Sequence, residues 1–529
     1  LTSLHELRAP QGDGELLAEP PLDRVGGLLA ENHRRLTGAE TTVGGRPLTE
    51  LRRQAAGEAL TASADYHREA GEPVPPAEPG RPLILAGHQP ELFHPGVWVK
   101  NFALSDLARR HRATALNLVV DNDIAKTASL RVPDLDAGEP SAVRLVTVPF
   151  DHWAGEAPYE ERAVRDEAVF ASLPERVAEH TENWPAPPIL PEFWQDVLRQ
   201  RGRTPLLGER VAAARRGWER RWGCHNRELP LSRLCRTEAF AAFAAHLLAD
   251  LPRFQAVYNA AVHDYRRRHG IRSRNHPVPD LGRDGDWWEA PFWGWRAGAE
   301  RRGRLMVRRE GTGLLLRAGD EVWPTPHGAD GRGWQEPEAG GLKVRSRALT
   351  TTLFARLCLG DLFVHGIGGG KYDELTDELL RRFFGLEPPG YLVLSGTLRL
   401  PLPRFEGRPS LQTAAARLAR DVYWNPQRHL DEVHQPGSWG ELKRLADEKR
   451  AWIDRTPTDP AGRRERFHEL RRLTEALRPR LADTVARLRE KVVRTEAEVR
   501  ANAVIARRDF AFCLYPEREL RAFCESVRK

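Results

Sequence analysis

At 529 residues the chain has room for several domains and a large buried core. Hydrophobic residues make up 40% and charged residues 29%, and no apolar run approaches the roughly 18 residues that would predict a membrane-spanning helix. The formal charge of +7 invites a nucleic-acid reading, yet residues 461–508 alone hold 14 Lys and Arg against 7 Asp and Glu, so the remainder is neutral.

Residues 1–75 read as a helical N-terminal arm, amphipathic over Leu28–Leu36 and Leu48–Tyr66, ahead of a Pro- and Glu-rich linker at 71–82. The first residues lack the basic region and apolar core of a secretory signal. The five cysteines (Cys224, Cys235, Cys358, Cys513, Cys524) show no C-x-x-C spacing. Neither a disulfide framework nor a zinc site is expected, and a cytoplasmic location fits best. From 82 the pattern alternates: strand 82–87, helix 97–111, strands 114–121 and 142–149, then helices near 159–181, 191–201, 207–221, 237–250 and 252–269. Such alternation predicts an α/β fold with a parallel sheet, its core running over 80–285 and resuming over 346–430.

Between these halves, 286–345 predicts a small antiparallel insertion rich in tryptophan (Trp287, Trp288, Trp293, Trp295, Trp323, Trp334), with its aromatics as core rather than as a platform for bases. Strand Leu362–Ile367, a glycine turn, helix Tyr372–Phe384 and strand Tyr391–Ser395 follow. Residues 436–510 predict a helical hairpin or coiled coil, before a tail at 511–529. Its first helix, Trp439–Arg455, is shorter than the second, which runs to about Arg508 with Phe467, Leu470, Leu473, Leu477, Leu481 and Val485 on one seam and a kink at Pro479. An apolar seam longer than its intrachain mate predicts a homodimer through the hairpin.

Three segments carry chemistry. In 86–104, Gly87, His88, Gln89, His94 and Lys100 cluster where a strand gives way to a helix, a place where backbone amides face ligands. Asp121, Asn122 and Asp123, with Lys126 nearby, end a strand at the edge where open α/β sheets bind ligands. Their roles would be to hold Mg²⁺ with a nucleotide, grip an amine or accept its proton, against the plainer reading of a helix cap. The run from Gly366 to Tyr372 is not a P-loop, because three residues rather than four separate its outer glycines and Tyr372 follows the lysine. What remains is a side-chain-free turn and a helix N-terminus, with Gly368, Gly369, Gly370 and Lys371 open to an anion. His88 and His94 lack a third His or Cys in their motif, so no metal site is expected. Cys358 reads as core.

Together these segments resemble the bacillithiol-biosynthesis cysteine-adding enzymes, whose signature runs roughly T-G-Q-Q-x-G-L-F-x-G-P-L-Y-x-x-x-K. Gly87, Gln89, Leu92, Phe93 and Lys100 fall on that pattern, and His88 replaces one Gln. The family's E-D-H-D is answered by Val120-Asp121-Asn122-Asp123, and its Y-V-G-G-P-G-E-x-A-Y by His365 to Tyr372. Asn122 stands where the family has His, so no acid–base role passes to it. The resemblance spans roughly 80–510 and implies a Rossmann-like core with a C-terminal coiled coil.

It also implies a ligase that joins an amino acid, cysteine in the family, to an amine of a small sugar-derived acceptor. Such chemistry needs an activated acyl group, which makes a nucleotide (ATP or ADP with Mg²⁺) the candidate cofactor, although no ATP motif is recognisable. In that scheme His88, Lys100 and Lys371 stabilise the developing oxyanion and Asp121 or Asp123 takes the amine proton. Gly87, Gln89, His94, Asn122, Lys126, Gly368, Gly369, Gly370, Tyr372 and Asp373 line the substrate or anion site. Two other classes compete: an RNA- or tRNA-binding protein that uses the basic hairpin, and a non-catalytic dimeric scaffold.

Overall fold

The main sheet has six strands in the order Leu16–Glu19, Leu392–Gly396, Leu362–His365, Leu83–His88, Thr114–Val119, Arg227–Pro230. The computed structural model describes residues 6–135, 139–325, 340–430 and 439–528; Trp334 and residues 436–438 of the expected hairpin lie outside them. The five strands from Leu392–Gly396 to Arg227–Pro230 are parallel, and Leu16–Glu19 adds antiparallel to Leu392–Gly396 at one edge. Ile84, Leu85, Leu116, Leu118, Val364 and Leu392 are fully buried or nearly so, the continuous apolar run of strands covered on both faces. From Leu83–His88 the chain builds outward through Thr114–Val119 to Arg227–Pro230, and it later adds Leu362–His365 and Leu392–Gly396 on the opposite side. Strand order therefore reverses between Leu83–His88 and Leu362–His365. In open sheets such a reversal leaves a crevice at the carboxyl ends of the two strands.

Several expectations are corrected. Residues 142–149 do not join the parallel sheet; Arg144–Pro149 pairs antiparallel with Ser129–Asp134 in a separate hairpin. Leu16–Glu19, expected in a helical arm, is a sheet edge, while Val25–Thr37 and Leu48–Glu69 are helical. The glycine run is not a turn before a helix but the first turn of the helix Ile367–Phe384, with Gly366 as its N-cap. The reason is close packing: a Cβ on Gly370 would stand 2.5 Å from Val393 Cγ2, so only glycine lets this helix lie so near its strand.

The helix Pro95–Arg110 packs against the sheet and is held by a buried ionic network. Trp98 Nε1 and Asn101 Nδ2, on either side of Lys100, donate to Glu219 Oε1 at 2.6 and 2.7 Å. Arg215 in turn bridges Glu219 and Glu228, both at 2.6 Å. A second constraint fixes the start of the helix, where a Cβ on Gly96 would run into the Gly396 carbonyl.

The insertion is a sheet of five strands in the order Glu321–Thr325, Gly313–Ala318, Gly303–Glu310, Trp287–Arg296, Leu342–Ser346, with Arg283–Asp284 pairing on Trp287–Arg296. Trp295 and Trp323 are buried. The half-buried Trp293 is covered by Arg302 and Arg347, whose guanidinium carbons lie 4.4 and 4.3 Å from its ring centre.

In the C-terminal arm, Pro460–Leu477 lies along Trp439–Asp454, and a 3₁₀ turn at Arg478–Leu481, containing Pro479, leads into Ala482–Ile505. That last helix packs along Pro409–Trp424, a helix absent from the expected pattern. The premise that much of the long helix lacks an intrachain mate is therefore corrected. The basic charge of the arm is also partly neutralised within it, for example by Arg471–Glu475, Arg472–Glu448 and Arg500–Glu496 at 2.8, 2.8 and 3.0 Å. No described helix is long and apolar enough to cross a membrane.

Candidate active site

All three chemistry-bearing segments follow strands of the main sheet and lie along its carboxyl edge. The first two are joined directly. Val120 N donates to the His88 carbonyl at 3.0 Å, and Gln89 Nε2 donates to Asp123 Oδ2 at 2.7 Å. The third begins at His365, on the strand beside Leu83–His88.

At the reversal of strand order sits Lys100. It is 4% exposed, forms no ion pair among the described residues, and makes one long hydrogen bond, Nζ to the Gly87 carbonyl at 3.4 Å. Burial alone pulls its pKa from 10.5 down to about 8. His88, His94 and His365 all lie close enough to feel its charge. Burial, then Lys100, lowers His88 to about 3. Burial, then Arg508, lowers His94 to about 4. Both rings are neutral at physiological pH, so His88 offers a hydrogen bond here rather than positive charge. His94 Nδ1 accepts from Gly96 N at 3.1 Å and caps the helix that carries Lys100.

Beyond His365 the amides of the first turn of Ile367–Phe384 have no side-chain cap, and Gly368 and Gly369 are exposed. Lys371 is half-exposed. Tyr372 packs edge-on against His276, with ring centres 5.6 Å apart. Asp373 faces inward: Oδ2 lies 2.6 Å from Arg356 Nη1 and 2.9 Å from His365 Nε2. Although its burial acts the other way, the charges of Arg356 and His365 hold Asp373 well below the usual carboxylate range. It is a positioning group for His365. Because Lys371 has no buried partner to lose among the described residues, Lys371→Met is expected to leave stability within about 0.5 kcal/mol while weakening anion binding. Thermal melts and a phosphate titration check this, and a large drop in melting temperature would mark Lys371 as structural.

On the other side of His88 a cleft of about 560 Å³ opens, lined among others by Tyr66, Pro90, Asp121, Tyr159, Ser232 and Lys343. Asp121 is half-buried, accepts from Ser232 N at 2.9 Å and from the Ser232 hydroxyl, and has no cation within ion-pair distance among the described residues. Burial, reinforced by the nearby Glu160 carboxylate, pushes it from 3.8 up to about 7. Glu160 is itself neutralised by Arg345 Nε at 3.0 Å and Lys343 Nζ at 3.2 Å. Two neighbouring carboxylates in unlike environments, one paired and one near neutrality, are the arrangement that divides acid from base.

Asp123 differs from Asp121. Against its burial, Arg302 at 2.6 Å and Gln89 lower its pKa and commit both oxygens. It ties the first two segments to the insertion. Asn122 is buried and donates to the Ser346 carbonyl at 2.7 Å, a structural bond. Lys126 is exposed, and its charge reaches Glu91. Arg302, Lys343 and Arg345 come from the insertion, Glu160 from a loop and Ser232 from the short helix Leu231–Leu234, and none carries a recognisable motif. Among the described residues no group of three or more His, Cys, Asp or Glu could hold a metal ion. No protein-family model matches the chain, and a search of characterised proteins gives no match.

Proposed function

We propose that the chain is a Rossmann-like carbon–nitrogen ligase that joins an amino acid to an amine of a small, sugar-derived acceptor, as its resemblance to the cysteine-adding enzymes of bacillithiol biosynthesis implies. The observation that carries this is the division of charge along one sheet edge. A buried ammonium without a counter-ion among the described residues lies at the reversal of strand order, and a carboxyl titrating at about 7 lies in the adjoining open cleft. Amide formation needs both. The acyl carbon gains negative charge on oxygen as the amine attacks, and the nitrogen must then lose a proton. Lys100 is assigned to the oxyanion or to the donor's carboxylate or phosphate; the neutral His88 spends its one N–H on the Gln89 carbonyl at 3.2 Å and presents Nε2 as an acceptor beside it. Asp121 is assigned to the amine proton, its oxygens held by Ser232. The amides of Ile367, Gly368 and Gly369, with Lys371, suit the phosphates of an activating nucleotide. Asp123 and Arg302 position the turn that carries Asp121.

The test is incubation of the full chain with cysteine, glucosamine and Mg²⁺-ATP, with mass spectrometry for an amide product. Product that is lost in Lys100→Met and Asp121→Asn supports the assignment. Product undiminished in both variants, or absent with the intact chain, removes it.

The proposed homodimer rests on the arm, where Leu411, Trp424, Trp439, Phe467 and Val493 remain exposed. Sedimentation is expected to give a dimer at micromolar concentration, weakened by Phe467→Glu. A strictly monomeric chain overturns it.

A further inference from the structure

At the opposite, amino-terminal edge of the main sheet lies a second groove of about 700 Å³, between the helix Leu48–Glu69, the linker at 77–82 and the start of the strands Leu83–His88 and Arg227–Pro230. Much of its wall is apolar, from Ala56, Leu60, Ala64, Pro79, Pro82 and Leu83. Its charges are lopsided. Arg52 is matched by Asp361 at 3.0 Å, Arg68 by Asp65 at 2.6 Å and Arg81 by Glu78.

Arg227 has no such match. It is 8% exposed and forms no ion pair among the described residues. Its one hydrogen bond there runs from Nη1 to the Leu60 carbonyl at 3.1 Å. Its Nε is buried without an acceptor among the described residues. Burial, then the like charge of Arg68, depresses its pKa, as expected for a guanidinium held out of water without an anion. The exposed Arg53 on the same wall also forms no ion pair or hydrogen bond among the described residues. An uncompensated buried cation costs folding energy unless something outside the chain satisfies it.

We propose that this groove is a second ligand site, distinct from the carboxyl-edge cleft, for a small organic anion whose carboxylate or phosphate head meets Arg227 and Arg53 and whose apolar body lies on the Ala56–Leu60–Pro79 wall. A guanidinium presents a planar fork that matches either head group, and the volume is that of a small-molecule pocket. The site is built into the sheet itself. Arg227 opens the strand whose far end leads to Ser232, and Asp361, also in this groove, precedes the strand that ends at His365.

The experiment is calorimetric titration of the full chain with phenyl phosphate, benzoate and inorganic phosphate. One or both aromatic anions should bind one-to-one, at least tenfold more tightly than inorganic phosphate; which of them binds identifies the head group. Arg227→Gln should weaken binding at least tenfold. That side chain is buried, so two further variants guard against a folding defect. Arg53→Gln is exposed and should weaken binding severalfold. Gly57 lies mid-helix on the groove wall with nothing within 4 Å of a built Cβ, so Gly57→Leu should fold and abolish binding by filling the space. Absence of binding to either aromatic anion overturns the proposal. So does binding that survives Gly57→Leu, or that is lost instead in Lys100→Met, which would put the anion at the other edge.

Discussion

Lys100→Met is expected to make the protein more stable and, at the same time, to weaken its hold on an anion at the carboxyl-edge site. The two effects share one cause. Lys100 is buried with a single long hydrogen bond and no counter-ion among the described residues. A displacement from 10.5 to about 8 corresponds to a penalty of roughly 3 kcal/mol on its charged form. Methionine keeps the length of the apolar stem and removes the charge, so a gain on the order of 1–3 kcal/mol is expected at pH 7. The pH dependence fixes the sign. Below about pH 8 both folded and unfolded chains carry the proton and the wild type bears the full penalty. Between about 8 and 10.5 the unfolded chain keeps a proton that the folded one has lost, so wild-type stability rises with pH. The difference between variant and wild type should therefore shrink across that window. Binding of acetate or phosphate at this site should fall about 10- to 100-fold in the variant, the worth of a hydrogen bond to a charged group. Thermal melts at pH 7 and 10, with titrations at pH 7, measure both. A variant that loses several kcal/mol instead would show that Lys100 serves the fold.

The legible part of this molecule is what local pattern encodes. The run Pro82–Ala86 with Gly87 after it, and the apolar positions of Pro95–Arg110, mark a strand leading into a helix, and both are present. Arg227–Pro230 is four residues long and carries two buried charged residues, of which Glu228 is satisfied by Arg215, Arg216 and Asn117. No local rule would make that a strand of the parallel sheet, where it forms one edge. The glycine run reads as a turn by propensity and is helical because the backbone must approach Val393. The helix Pro409–Trp424 has few buried positions and leaves Leu411, Leu418 and Trp424 exposed, and its partner lies some seventy residues further along.

The site follows the same division. His88, Gln89, Lys100 and Asp121 stand in segments that a reader can pick out, because the strand-to-loop junctions are visible. Which aspartate is the free one is not visible. Asp121 and Asp123 differ through Arg302, Glu160 and Arg345, whose sequence separations from them reach well over one hundred residues in the case of the two arginines. Long-range charge pairing chose between two residues that look equivalent in sequence.

Asp121→Asn is expected to lower the rate of amide formation by roughly 10²- to 10⁴-fold, the usual contribution of a positioned general base, while stabilising the fold above neutral pH. Asparagine can still accept from Ser232 N and can donate to the Ser232 hydroxyl, so the local hydrogen bonds survive. What it removes is a carboxyl whose folded pKa of about 7 exceeds its ordinary value of 3.8. Below 3.8 both states of the wild type are protonated and the variant has no advantage. As pH rises from 3.8 through about 7 the unfolded chain releases its proton while the folded one retains it, so wild-type stability falls and the variant's does not. Above 7 the variant should lead by up to roughly 2–4 kcal/mol. Asp123→Asn should do the reverse. Arg302 and Gln89 outweigh burial there and lower the folded pKa, a contribution present above 3.8 and lost as pH falls. Denaturant melts of the three chains at pH 4.5 and 8 separate these outcomes. If Asp121→Asn destabilises at pH 8 as Asp123→Asn does, then Asp121 is a structural ion, and the assignment of the amine proton to it falls.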